Sequence, residues 1–245
     1  MAFPAFRRIV ADLEAVLETG GSVENRARQV MARPSIYGLP PSSGRKSEPL
    51  PAAQRFAAMT SLAPTDTLFQ TADNAEAFCA LRLVDDIRTP VGSRLPPELC
   101  PIDEFERTAN PATLHRIGAA LVTRAETGDL YRAIKAWKAD YFAKREPMAT
   151  DVPALALTFE RRGDERSARL EINCVGRSYA FAERRRGRPP TQQLDGRAVL
   201  RWTVTETAFF LLGQAGRDSY IRTPATSTPF AAQILAVESR ANPAN

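Results

Sequence analysis

The chain predicts an α+β fold: a helical N-terminal half, then a small, mainly antiparallel sheet with covering helices in the C-terminal half. Three observations predict it. Apolar residues recur with the 3.6-residue helical period before residue 150, they alternate with the two-residue period of strands after it, and Pro147 stops the last helix between the two regimes. With 245 residues and 44% hydrophobic content, the chain is long enough to enclose a core as one large domain or two modest ones. The division expected is a mainly helical region over 1–150 and a β-rich region over 151–245.

Phe6, Ile9, Val10, Leu13, Val16 and Leu17 share one face of a helix over residues 4–18, which Gly20-Gly21 closes. Ser22 caps a second helix over 23–32, which must stop near Arg33 because Pro34 follows. Residues 39–51 are too rich in proline and serine for regular structure and read as a surface loop or linker. Further helices are predicted at 52–61, 73–84, 112–126 and 129–145. In the last, Ile134, Trp137, Tyr141 and Phe142 make the apolar face, while Arg132, Lys135, Lys138, Lys144 and Arg145 make the remainder basic.

Beyond residue 150, Leu155, Leu157 and Phe159 alternate with smaller or polar residues, a polar turn follows over 161–166, and Leu170, Ile172 and Cys174 alternate again. That is the pattern of a β-hairpin. Tyr179 and Phe181, then Leu200, Trp202 and Val204, continue it on either side of an arginine-rich stretch. Thr203 and Glu206 have capping-box spacing for a short apolar helix over 208–212 that Gly213 ends. A short strand at Tyr220-Ile221 and a helix over 229–239 complete the prediction.

The formal charge of +5 is unevenly distributed. Residues 160–201 hold eleven arginines against six acidic residues, so the rest of the chain sums to zero. Residues 151–245 contain fourteen arginines and no lysine. Arginine's planar fork suits phosphate, base-edge and carboxylate pairing better than the point charge of lysine. Within this window, Arg186-Gly187-Arg188-Pro189 resembles the core of an AT-hook. In that motif an extended Arg-Gly-Arg lies along the floor of the minor groove. Over A·T pairs the groove is narrow, electronegative and lined by acceptors, so two guanidinium donors around a glycine without a side chain fit it. Pro189 holds the exit extended. Glu183 and Thr191-Gln192-Gln193 depart from the basic flanks usual in that motif. The resemblance therefore implies one contact within a larger basic surface, on an arginine-rich loop over 184–190.

Arg184, Arg185, Arg186, Gly187 and Arg188 are the first candidates for nucleic-acid contact, with Arg177, Arg197 and Arg201 extending the patch. Tyr179 and Trp202 would stack on bases if exposed, but both alternate in phase with core residues, which predicts burial. Secondary candidates are Arg26, Arg28 and Gln29 on the second helix of a helix-turn-helix-like pair, and Lys135 and Lys138 on the basic face of helix 129–145.

Signals of catalysis are poor. The single histidine, His115, has no nucleophile or carboxylate at a spacing that catalysis uses and reads as structural. Tyr131 and Lys135 have dehydrogenase-like spacing without the glycine-rich loop that a nicotinamide cofactor needs. Asp85-Asp86 and Asp103-Glu104 are adjacent pairs that diverge, and do not converge on a metal. Three well-separated cysteines, Cys79, Cys100 and Cys174, argue against both a disulfide framework and a zinc site and point to a reducing, cytoplasmic compartment. No run of about 20 apolar residues suggests a membrane partner.

The sequence thus predicts a non-catalytic protein without cofactor or metal that binds nucleic acid, with duplex DNA favoured over RNA, as a subunit of a nucleoprotein assembly. The alternative is a scaffold subunit whose arginine loop grips an acidic protein partner. A third reading, a metal-independent ribonuclease, depends on Tyr179 and the arginines orienting a 2′-hydroxyl.

Overall fold

A computed structural model describes residues 12–13, 50–63, 70–88, 112–143, 152–183 and 199–218. The fold is α+β, with five helices and a five-stranded antiparallel sheet among the described residues. Of the first predicted helix only Asp12 and Leu13 are described; both are helical, and Leu13 is buried in the core. The predicted helices over 23–32 and 229–239, the strand at Tyr220-Ile221 and nearly all of the loop over 39–51 lie outside the described residues.

Helix α1 is Ala52–Thr60 and α2 is Thr71–Ala80. The sequence predicts that α2 continues to residue 84, but it ends where Leu81 turns extended, with φ −54° and ψ 136°. Strand β1, Arg82–Arg88, follows immediately. The reason is tertiary: β1 pairs along a distant strand, with Leu83 opposite Phe181, and that ladder overrides the local helical spacing. Helix α3 is Leu114–Thr127, capped by the Thr113 hydroxyl, which accepts the Arg116 N–H at 3.3 Å. Gly128, at φ 82°, ends it in a left-handed conformation that suits a residue without Cβ, and α4, Asp129–Ala143, begins at once.

The predicted hairpin is β2, Leu155–Arg162, and β3, Glu165–Ile172, joined at Gly163-Asp164 with Gly163 at φ 60°. A 3-10 turn over Asn173–Val175 leads to β4, Arg177–Ala182, and the last strand is β5, Val199–Thr205. Helix α5, Glu206–Asp218, follows β5 directly.

Helix α5 corrects the expectation of a short helix ended by Gly213. It runs through Gly213 and Gly216, because both are positions of close approach: a Cβ at Gly213 would collide with the Ala125 backbone of α3, and one at Gly216 with the Arg55 guanidinium. The capping box is not formed. Thr203 stays within β5 and shares a hydroxyl hydrogen bond with Thr158 at 2.9 Å. The buried Glu206 carboxylate instead accepts the Leu155 N–H at 3.3 Å and pairs with Lys138 Nζ at 2.9 Å.

The strand order is β1-β4-β3-β2-β5. Strands β2, β3 and β4 form a meander, and β5 returns by a long connection to lie beside β2, which is a Greek key. One face carries Leu157, Phe159, Leu170, Tyr179, Phe181 and Val204, all buried in the same core as the helices. There Phe78 of α2 meets Phe159 edge-on at 5.2 Å, and Trp202 stacks on Phe159 at 5.4 Å. The other face is polar, with Thr158, Glu160, Arg169, Glu171, Arg201 and Thr203. The sheet takes β1 from the first 150 residues, and α5 packs on α3.

Arg55 lies at the centre of the helical layer. It is buried at 2% exposure on α1, donates to the Leu212 carbonyl of α5 and pairs with Glu126 of α3. One guanidinium therefore ties three helices together.

Candidate nucleic-acid interface

The long connection between β4 and β5 spans residues 184–198, and its two anchors are described. Ala182 at the end of β4 pairs with Ser167, and Val199 at the start of β5 pairs with Arg162, so both anchors lie at the Gly163-Asp164 turn end of the sheet. The chain must pass from β4 beyond β3 and β2 to β5. Three strand spacings make that crossing about 14 Å, whereas fifteen residues can reach roughly 50 Å when extended. The sequence is much longer than the crossing requires.

Charge is partitioned sharply at those anchors. Residues 160–183, which form the adjoining strands, contain five arginines and five acidic residues and are neutral. Residues 184–198 contain five arginines and one aspartate, giving +4 of the chain's +5. The strand arginines are moreover matched locally. Arg201 pairs with Glu160 at 2.6 Å across β5 and β2, and Arg169 approaches Glu171 at 4.0 Å along β3. At the turn end, Arg166 donates to Asn74 Oδ1 at 2.7 Å, to the Asp164 carbonyl at 3.2 Å and to Glu183 at 3.2 Å. The buried Arg161 donates from Nε to the Gly163 carbonyl at 2.8 Å, folding back over the turn.

Of the predicted contact residues, Arg184, Arg185, Arg186, Gly187, Arg188 and Arg197 lie outside the described residues, as do Arg26, Arg28 and Gln29. Arg201 is exposed on the polar face, two residues from the anchor Val199. Arg177 is at the other end of the sheet: it opens β4 opposite Ile172, is half-buried, and donates to the Tyr179 hydroxyl at 3.3 Å. The structure therefore brings Arg201, but not Arg177, close to the anchors of the arginine-rich connection. Lys135 is exposed on α4, whereas Lys138 on the same helix is turned toward Glu206.

A further arginine outside the predicted set, Arg162, is exposed at the hairpin end directly opposite Val199. In β2, alternation puts Arg162 in phase with Thr158 and Glu160, on the polar face.

The aromatic candidates face the core, as their phase predicts. Tyr179 is fully buried, and Trp202 is half-buried against Phe159. Tyr179 therefore offers no face to a base and no reach to a 2′-hydroxyl, which removes the group on which the ribonuclease reading depends. His115 Nε2 lies 3.0 Å from the Ala53 carbonyl, with its ring tilted against Phe56, linking α3 to α1. Cys79 and Cys174 are buried, and desolvation pushes each thiol up to about 12, so neither is an activated nucleophile. Cys100 is outside the described residues. No group of three or more His, Cys, Asp or Glu residues among the described residues could hold a metal ion, and no helix among them is long and apolar enough to cross a membrane.

These features define an α+β Greek-key sheet with an arginine-rich crossing at one end. Comparison with protein-family models, with curated proteins and with solved structures finds no match.

Proposed function

We propose that this protein binds duplex DNA without catalysis, through Arg186-Gly187-Arg188 and neighbouring arginines of the 184–198 connection, as one subunit of a nucleoprotein assembly. The observation that carries the reading is the partition of charge. Residues 160–183 are internally balanced, with carboxylate partners at Glu183 for Arg166 and at Glu171 for Arg169, and the excess falls on a segment anchored at one end of the sheet. A segment with +4 and an Arg-Gly-Arg core has the donors that phosphates and the A·T minor groove accept. Exposed Arg162 and Arg201, next to the anchors, extend the contact along the backbone.

The test is duplex binding by the full chain and by Arg186→Ala/Arg188→Ala at two salt concentrations. If four phosphates are neutralised, log K falls against log salt with a slope near roughly −4. The double variant loses affinity on A·T-rich duplex and has a shallower slope by roughly 2. Unchanged affinity would sink the claim.

A second reading is supported by the way Glu183 and Glu160 engage Arg166 and Arg201: arginines at this end of the sheet already pair with carboxylates. On that reading the connection grips an acidic protein. Purification separates the two, since nucleic acid that salt strips away supports DNA binding and a discrete protein partner without nucleic acid supports the scaffold.

A further inference from the structure

The two edges of the sheet are built differently. At β1, the outer edge is engaged by the residues before α3: the Leu83 N–H donates to the Ala112 carbonyl at 3.0 Å, and the Leu114 N–H donates to the Leu81 carbonyl at 2.8 Å. The ladder of β1 is also interrupted by a bulge between Leu83 and Asp85, and its sequence carries Asp85-Asp86 between two arginines. Bulges, charges and covering segments are the devices that keep an edge strand from pairing with another chain. Among the described residues, strand β5 carries only one of them, the charge of Arg201, which Glu160 of β2 pairs at 2.6 Å. Its seven residues, Val-Leu-Arg-Trp-Thr-Val-Thr, pair in unbroken register with β2, contain one charge and no proline, and leave Val199 and Leu200 about two-fifths exposed, at 41% and 39%.

We infer that β5 is a self-association edge, on which two copies of this chain pair antiparallel about a two-fold axis through Trp202 to make one continuous ten-stranded sheet. The sequence of β5 is complementary to itself in that register. Leu200 lies opposite the copy's Val204 and Trp202 opposite its own copy, on the core side, while Arg201 lies opposite Thr203 on the polar side, so no like charges face each other. Residue parity also fits, because pairing residues of the same parity keeps both helical layers on one side of the joined sheet. A register shifted by one residue would set core-side residues against polar-side ones. A second copy uses up the edge on both partners, so assembly closes at a dimer, which a foreign strand would not require. In the dimer the two arginine-rich connections reach β5 at Val199 of each copy, roughly 20 Å apart along the paired strands.

Sedimentation velocity of the full chain without nucleic acid, across a wide range of concentration, tests this independently of the DNA-binding reading. A monomer result overturns self-association and leaves the duplex assay standing. The wild-type chain is expected to sediment as a dimer that high salt does not dissociate. Thr203 is exposed, so two substitutions there read the register: Thr203→Arg opposes Arg201 of the copy and weakens the dimer about tenfold, while Thr203→Glu attracts it and tightens the dimer several-fold. Leu200→Lys, at the exposed edge, dissociates the dimer while leaving the far-ultraviolet circular dichroism unchanged. A monomer at every concentration, or equal effects of Arg and Glu at position 203, overturns the proposal.

Discussion

Arg55 is the residue on which the helical layer is most exposed to a single change. Its charge is buried between α1, α3 and α5, where it is matched by Glu126 and the Leu212 carbonyl. Removing one partner of such a pair costs more than removing both, because the survivor remains desolvated. Arg55→Met is expected to destabilise the fold by about 3 kcal/mol, and Glu126→Gln added to it to return part of that loss; urea denaturation of the single and double variants measures both. The two buried thiols give a pH dependence of definite sign. Desolvation holds Cys79 and Cys174 protonated up to about 12 in the fold, against an ordinary value of 9.0, so the unfolded chain ionises first as pH rises. Their contribution to stability is complete below pH 9 and declines between pH 9 and 12. The urea midpoint should therefore drop from pH 8.5 to about 10.5, and Cys79→Ala should make the drop shallower; an equal drop in that variant would show that the thiol is not responsible.

At the scale of elements, the hairpin, β5, α1, α3 and α4 are legible in the sequence because each is specified by its own periodicity and by local punctuation such as Gly128 and Gly163. Gly163 illustrates how local that specification is. At φ 60° it occupies a conformation that a residue with a branched Cβ resists, so Gly163→Val is expected to cost about 1–2 kcal/mol, read as a lowered thermal midpoint with retained strand signal. The misread elements depend on partners far along the chain. Residues 81–84 have helical spacing, yet Leu83 finds Phe181, and nothing within the segment announces that pairing. Gly213 and Gly216 look like stops and are instead sites of contact with Ala125 and Arg55. The candidate site divides in the same way. The concentration of arginine can be read by counting, and the burial of Tyr179 by phase. That Glu160 and Glu183 engage Arg201 and Arg166 follows from strand register and turn geometry, which sequence spacing alone does not fix.

For the whole molecule, the sheet and the helical layer draw on both ends of the described chain: β1 completes a sheet whose other four strands begin after residue 154, and α5 seats on α3. Urea unfolding is therefore expected to be one cooperative transition in which tryptophan fluorescence and far-ultraviolet circular dichroism coincide; two separated transitions would contradict it. The Greek key has a consequence for variation. The register of β5 is held by its seven-residue ladder to β2, and α5 follows it directly. Doubling the length of a crossing such as that between β4 and β5 costs only about 0.6 kcal/mol in closure entropy. The stretch that carries +4 of the chain's net +5 is thus also one whose length can change at little cost in closure entropy, so the charge proposed to contact DNA can vary while the ladder between β2 and β5 stays as it is.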